Sequence, residues 1–470
     1  MELTKNGVYC VVPLLFVLWV LLNFDNGVLS QTRVTTLPGF NGTLPFYLET
    51  GYIGVEGDEL QLFYYFVESE NNPKEDPLIY WLTGGPHCSG MSAILYEIGP
   101  FQIEEMTYTG KLPKLLLRQY SWTKTANILF VDMPVGTGYS YATTARANYS
   151  GDLKASDNVN EFLKKWLLNH TEYISNPLYV GGDSYTGFTL PIYFDRMVND
   201  NEDQVHPILN LKGYLLGNPA TDSSIDGNTQ VPLAHGMGLI SDEFFESFER
   251  ICKGDYHTID PDNYMCMLHF ARFEEDLHGI QTTHILENYC NDYNLQLHES
   301  STKKRIMLEN TNKFYHAKEN GAFSCRKEGY KLSQYWMNDK SVREALHVFK
   351  ESPTKWIRCN FGFNYSYEMV SSVKYHAKLS AKGFRSLIYS GDHDMIVPFI
   401  GTQTWIRSLN YSIHDEWRKW TVDDQIAGFT RTYSNNMTFA TIKGAGHTAP
   451  EYKPKQCAAM FKRWIVGELL

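Results

Sequence analysis

The sequence lacks the patterns that mark most metal and nucleotide chemistry. No C-x-x-C pair occurs in its 470 residues, which excludes a zinc ribbon and a thioredoxin-like redox site. No H-E-x-x-H, Walker or EF-hand pattern is present. The stretch DMPVGTGYS, from Asp132 to Ser140, places Gly136 and Gly138 after a strand, but no third glycine completes a dinucleotide fingerprint. Basic charge is short. Against 53 Asp and Glu stand 42 Lys and Arg, a formal net charge of −11, so the chain has no footprint for nucleic acid. Neither a metal nor a cofactor is expected. Beyond the amino-terminal apolar run no stretch is long and apolar enough to span a bilayer, and internal repeats and low-complexity tracts are absent.

What is present describes a large globular chain. Hydrophobic residues make up 43% and charged ones 20%, enough for a sizeable core. Aromatics at 14% predict a cleft walled by Tyr, Phe and Trp. Lys5 precedes an apolar run from Val8 to Leu22, followed by small residues near Gly27 to Ser30. This run falls short of the roughly 20 residues that span a bilayer, so residues 1–30 read as a secretory signal peptide, with an uncleaved anchor as the competing reading. Six sequons, at Asn41, Asn148, Asn169, Asn364, Asn410 and Asn436, agree with passage through the secretory pathway, to a vacuole or the cell exterior. Outside the signal lie Cys88, Cys252, Cys266, Cys290, Cys325, Cys359 and Cys457. An odd count predicts three bridges and one free thiol, with the pairing open.

Gly51 to Val67 reads as an antiparallel hairpin, GYIGV and LQLFYYFV around the turn EGDE. Short apolar runs ending in glycine or aspartate then recur: PLIYWLTGG, NILFVD, LYVGGDS, LKGYLLGN, RSLIYSGD and MTFATIKGAGH. Such runs suit strands buried on both faces of a mainly parallel sheet. In 155–168, Val159, Phe162, Leu163, Trp166 and Leu167 form one helical stripe for packing on that sheet. Between about 220 and 335 the strand pattern disappears and four cysteines cluster. The expected organisation is an α/β core over 31–219 and 336–470, interrupted by a helical cap over 220–335. Its stretch 291–324 carries ESSTKKR and reads as an exposed loop that tolerates cleavage into a two-chain form.

The strongest chemical signal is LYVGGDSYTGF. Ser184 follows a strand, with Gly182 before it and Gly187 after it, as in a strand-to-helix elbow that exposes a nucleophilic hydroxyl. Thr186 departs from the usual G-x-S-x-G. Serine needs a base, and strand ends downstream supply His447 in KGAGHTAPEYKP and two acids, Asp392 and Asp394, in SGDHDMIVP. The order Ser, Asp, His is the order of an α/β-hydrolase sheet, and spacing leaves both acids open. The turn after PLIYWLT, Gly84-Gly85-Pro86, offers backbone N–H groups to an oxyanion.

Seven blocks in one order (LPGFNGTLPFYLETGYIGV, WLTGGPHCSG, DMPVGTGYSY, GGDSYTG, GNPATD, SGDHDMIVP and GAGHTAPEYKP) resemble the plant serine carboxypeptidase-like proteins from about residue 33 to the end. The resemblance implies an α/β-hydrolase fold, Ser184 as nucleophile, His447 as base, Asp394 as orienting acid, and the N–H groups of Gly85 and Tyr185 as oxyanion donors. It implies bridges Cys88–Cys359, Cys252–Cys266 and Cys290–Cys325. Peptidases of the family hold a C-terminal carboxylate with Asn in W-L-N-G-G, Glu in G-E-S-Y and another Glu. Here those places are Thr83, Asp183 and Glu97, so the substrate-facing set is Thr83, Gly84, Asp183 and Glu97. Thr83 and Asp183 resemble the acyltransferase branch, whose donors are 1-O-β-glucose esters. His87 and Gly90 depart from the family's G-G-P-G-C-S-S. The expected partners are an acyl glucose and an acceptor hydroxyl, with no membrane anchor. The rival readings are a serine carboxypeptidase and a catalytically silent binding protein, with a lyase more distant. In an acidic compartment His447 must stay neutral below its ordinary pKa, which burial would favour.

Overall fold

The computed structural model describes residues 31–290, 325–350, 352 and 355–470, so the expected signal peptide and the stretch 291–324 lie outside the described residues. One sheet of twelve strands organises them. In chain order these are β1 (Thr32–Val34), β2 (Leu48–Val55), β3 (Leu60–Val67), β4 (Leu78–Leu82), β5 (Asn127–Val131), β6 (Tyr141–Ala142), β7 (Leu178–Asp183), β8 (Leu211–Gly217), β9 (Arg385–Gly391), β10 (Ile413–Val422), β11 (Gln425–Tyr433) and β12 (Met437–Ile442). Their order across the sheet is β1-β2-β3-β5-β4-β7-β8-β9-β12-β11-β10, with β6 paired to β3. The run from β5 to β12 is parallel throughout, and the flanks are antiparallel. This is an α/β-hydrolase fold.

The apolar runs explain the middle of the sheet. In β4, Ile79 and Trp81 enter one buried cluster while Leu78, Tyr80 and Leu82 enter a second on the opposite face. A strand covered on both sides needs no polar alternation, and each large side chain so buried contributes roughly 1.5–3 kcal/mol. Helix α1 (Asp152–Asn169) covers one face through the predicted stripe, whose five members are all buried. The hairpin at 51–67 forms as β2 and β3 in antiparallel register.

A second hairpin, β10 with β11, carries no such signal, because charged residues dominate HDEWRKW on an edge that faces solvent. Its turn residues Asp423 and Asp424 both have positive φ, 49° and 58°, the backbone a two-residue hairpin loop requires.

Between β8 and β9 the described residues hold helices Ser223–Asn228, Gln230–Gly236, Asp242–Cys252, Tyr264–Asp276, Arg326–Met337, Lys340–Ala345 and Val373–Ala381. Val231, Phe244, Phe248, Tyr256 and Phe273 form a small core of their own there. The three bridges join Cys88 to Cys359, Cys252 to Cys266 and Cys290 to Cys325, with Cys457 free and buried. These pairs are the ones the resemblance implies, and they fit folding in an oxidising compartment. All six sequon asparagines are exposed. No helix among the described residues is long and apolar enough to cross a membrane.

Candidate active site

Strand β7 ends at Asp183 and helix α2 begins at Thr186 (Thr186–Glu202), so Ser184 and Tyr185 are the whole connection. Ser184 takes φ 56°, a left-handed conformation that costs a non-glycine residue of order 1 kcal/mol. Its surroundings hold it there. The Ser184 N–H donates to Gly217 O at 2.9 Å, and its carbonyl accepts from the N–H groups of Gly187 and Ala220, each at 3.0 Å. The flanking glycines are required by contact: a Cβ at Gly182 would lie 2.6 Å from Leu82 O, and one at Gly187 would lie 2.4 Å from Ala220 O. Thr186 fits the elbow despite its departure from the usual motif, because its hydroxyl donates to Asp183 O at 2.7 Å.

The Ser184 hydroxyl donates to His447 Nε2 at 2.7 Å, and His447 Nδ1–H donates to Asp394 Oδ2 at 2.7 Å. Of the two acids left open by spacing, only Asp394 reaches the imidazole. Asp392 instead accepts from Gly444 N at 2.7 Å and contacts His393 Nδ1 at 2.5 Å. Asp394 is wholly buried and is fixed by Ile396 N at 2.8 Å and by Asn218 Nδ2 at 2.9 Å. Burial alone would push the His447 pKa down. The charge of Asp394 and its hydrogen bond outweigh that, so the imidazole sits above its ordinary value. Burial does favour the neutral ring, as expected, but the Asp394 charge and hydrogen bond outweigh it and favour the protonated one.

The loop after β4 lies against this elbow. A Cβ on Gly84 would fall 2.5 Å from Asp183 O and 2.8 Å from Ser184 Cβ. Gly85 follows with φ 126°, a conformation effectively reserved for glycine. Neither the Gly85 N–H nor the Tyr185 N–H is taken up by an acceptor among the described residues. Both are thus free to serve a developing oxyanion beside Ser184.

Of the residues expected to face substrate, Asp183 turns back onto the same loop and accepts from Gly84 N at 3.0 Å. Glu97 ends a π-helical turn, Ala93–Glu97, and is 2% exposed, with Oε2 lacking a partner. Burial and the mutual repulsion of the two acids hold Glu97 well above the usual carboxylate range, and burial raises Asp183 as well. Thr83 is buried with its hydroxyl unpartnered.

Sequence reasoning missed three groups at this centre. Asn218 positions Asp394, and its signal lay in GNPATD at the end of β8. Arg358, whose Nε donates to Ser92 Oγ at 2.9 Å and whose guanidinium lies 3.9 Å from the Tyr330 ring centroid, brings positive charge towards Glu97 and His447. Asp152 is buried at the start of α1 and accepts from Tyr185 Oη at 2.9 Å and Tyr365 Oη at 2.7 Å. Segment 282–285 also packs on the site, since His447 N donates to Thr283 O at 2.7 Å and Met395 N to Thr282 O at 2.9 Å.

Known proteins are close to this chain in sequence. The serine carboxypeptidase family model, peptidase S10, matches residues 38–467. Serine carboxypeptidase-like 3 of Arabidopsis thaliana is 46% identical over 470 residues, covering 100% of both chains. Serine carboxypeptidase-like 19 of the same plant is 49% identical over 450 residues, covering 94% of this chain and 95% of its own. Among solved structures, a prohormone-processing carboxypeptidase from Saccharomyces cerevisiae superposes with a TM-score of 0.63 at 20% identity, covering 89% of this chain and 90% of that one. It supports the fold alone. A family match that runs nearly the length of the chain, with relatives at almost half identity over the same span, places this chain in the serine carboxypeptidase family.

Proposed function

We propose that the protein is a serine acyltransferase that moves an acyl group from a 1-O-β-acylglucose to an acceptor hydroxyl. Ser184 attacks the ester carbonyl, and His447 takes its proton and returns it to the departing sugar oxygen. Asp394 stabilises the imidazolium. The Gly85 and Tyr185 N–H groups carry the negative charge of the tetrahedral intermediate. His447 then deprotonates the acceptor hydroxyl, which attacks the acyl-serine and frees Ser184. Water is the competing nucleophile, and transfer prevails where the cleft binds the acceptor in line with the acyl carbon. The helices between 220 and 335 act as a cap through the 282–285 contacts. The reaction takes place in the secretory pathway, in a vacuole or outside the cell, where the six exposed sequons are available for glycans.

The observation that carries this reading is the side chain of Asp183. It is spent on Gly84 N, beside a threonine in place of an amide donor at position 83, so a free carboxylate would meet a poorer set of partners. One observation favours the carboxypeptidase reading: Glu97 has a buried, unpartnered oxygen and burial favours its protonated form, and a protonated acid can donate to a carboxylate. Purified protein offered acyl glucoses with candidate alcohols, and separately a blocked dipeptide, distinguishes the two. Ester products identified by mass support transfer. Release of the terminal amino acid without ester turnover overturns it.

A further inference from the structure

His87 stands where the family has glycine, and its setting is unusual for a histidine. It takes φ 72°, is 1% exposed and has no partner for Nε2. Burial holds its pKa down to about 4, against the pull of the Pro86 carbonyl, so the ring is neutral under ordinary conditions. Its ring centroid lies 5.0 Å from that of Phe363 and 4.9 Å from that of Tyr365. The His87 carbonyl accepts from Asn360 N at 2.9 Å, and the neighbouring Cys88–Cys359 bridge ties the same two segments together. A strained backbone, a buried unpaired nitrogen and a tethered ring together are costly. Such a cost points to a task.

A second unpaired group lies close by. Thr83 Oγ1 is buried without a partner, and Thr83 and His87 line the same cavity of about 30 Å³, with Gly84 and Pro86 between them in sequence and Tyr185 and Thr186 across from them. The cavity has room for water, which needs two or more polar partners to be held. Both ends of the turn that presents the Gly85 N–H line this cavity, as does Tyr185, which presents the second donor, together with apolar residues such as Met133 and Val159.

We propose that Thr83 and His87 share one buried water and that His87 is thereby a positioning residue, fixing the turn that aims the Gly85 N–H at the oxyanion. The water ties the strand end at Thr83 to the far side of the turn at His87, and the Phe363 and Tyr365 rings prevent His87 from swinging away. The inference rests on Ser184 being the nucleophile, and it holds for either an acyl glucose or a peptide as substrate.

The test is the rate of Ser184 labelling by a fluorophosphonate, with thermal midpoints measured alongside. His87→Phe keeps a ring against Phe363 and Tyr365 but removes Nε2, and Thr83→Val removes Oγ1 at nearly constant volume. Each is expected to slow labelling about tenfold, a fraction of what loss of a whole oxyanion donor costs, through the maximal rate and not the reagent's binding. The double variant is expected to be no slower than either single one, because both remove the same water, and His87→Gln restores part of the rate. Wild-type rates in both single variants, or losses that multiply in the double variant, overturn the proposal. If wild-type protein is not labelled above Ser184→Ala, the nucleophile assignment fails instead. Should the variants not fold, a high-resolution crystal structure of the wild type decides: density for a water within hydrogen-bond reach of both Nε2 and Oγ1 supports the inference, and its absence overturns it.

Discussion

Replacing Gly84 by alanine adds one methyl group at the point where the loop after β4 meets the elbow. That carbon would stand 2.5 Å from Asp183 O, 2.8 Å from Ser184 Cβ and 3.2 Å from Tyr185 N, whereas real Cβ contacts stop near 3.0 Å. Two of the three neighbours are backbone atoms of the elbow, so no flexible side chain can swing aside. Loop and elbow must separate by about half an ångström, and misplacement by 1 Å costs about a hundredfold in rate. The expected loss in Ser184 labelling, and in turnover of any ester substrate, is therefore about 10- to 100-fold, mostly in the maximal rate. Gly236→Ala is the matching control. A Cβ there meets nothing within 4 Å, and Gly236 closes the helix Gln230–Gly236, so labelling should be unchanged and stability equal or slightly higher. A Gly84→Ala protein that keeps its thermal midpoint and labels at the wild-type rate would refute the placement of this loop as a wall of the oxyanion site.

Asp394→Asn removes the charge that outweighs burial at His447. The wild-type rate should fall with acid below a limb lying above the ordinary histidine value, because the base must be neutral. In the variant that limb moves to lower pH while the maximal rate drops by about 10⁴; an unmoved limb in the pH–rate profile counts against the assignment. Asn218→Leu leaves Asp394 Oδ2 without its 2.9 Å amide donor, a loss of about 1.5–3 kcal/mol of charge-assisted hydrogen bonding. It should lower kcat at least tenfold with KM little changed. Replacing Cys88 and Cys359 together by serine opens a bridge spanning 271 residues. A loss of about 2–5 kcal/mol in denaturant unfolding is expected, with slower labelling because the turn through His87 loosens. The same change at Cys252 and Cys266, in the separate small core, should lower stability and leave labelling intact.

Where burial on two faces writes a continuous apolar run, the strand could be read directly. Each of the six runs ending in glycine or aspartate is one of the parallel strands. The β10–β11 hairpin was illegible for the opposite reason, since an exposed edge allows charge at nearly every position. The site divides in the same way. Ser184 and His447 stand in glycine-flanked strand ends, where tight packing forces a visible motif. Choosing Asp394 over Asp392 needs the direction of two side chains two residues apart, which spacing does not contain. Asn218 and Asp152 act by accepting or donating hydrogen bonds across more than 150 residues of chain, to Asp394 and to Tyr365. Nothing local marks that duty. His87 was visible as a departure from the family pattern, but only its burial beside Thr83 gives the departure a meaning.

The relay follows from the order of strands more than from the order of residues. Ser184 follows β7, Asn218 follows β8, Asp394 follows β9 and His447 follows β12, and these four strands are consecutive neighbours in the sheet. Parallel pairing puts all four carboxyl ends on one edge, about 4.8 Å apart per step. Asn218 reaches Asp394 from the neighbouring strand end and Asp394 reaches His447 from the next, whereas Ser184 lies three strands from β12, so the turn after Ile442 carries the imidazole back across the edge to the hydroxyl. The loop after β4 flanks β7 on its other side, which sets the expected oxyanion donors beside Ser184. The helices between β8 and β9 enter the chain at that same edge, between Asn218 and Asp394. We propose that this insertion governs what reaches Ser184, so substrate choice should map to residues 220–335 and to the Thr83–His87 turn.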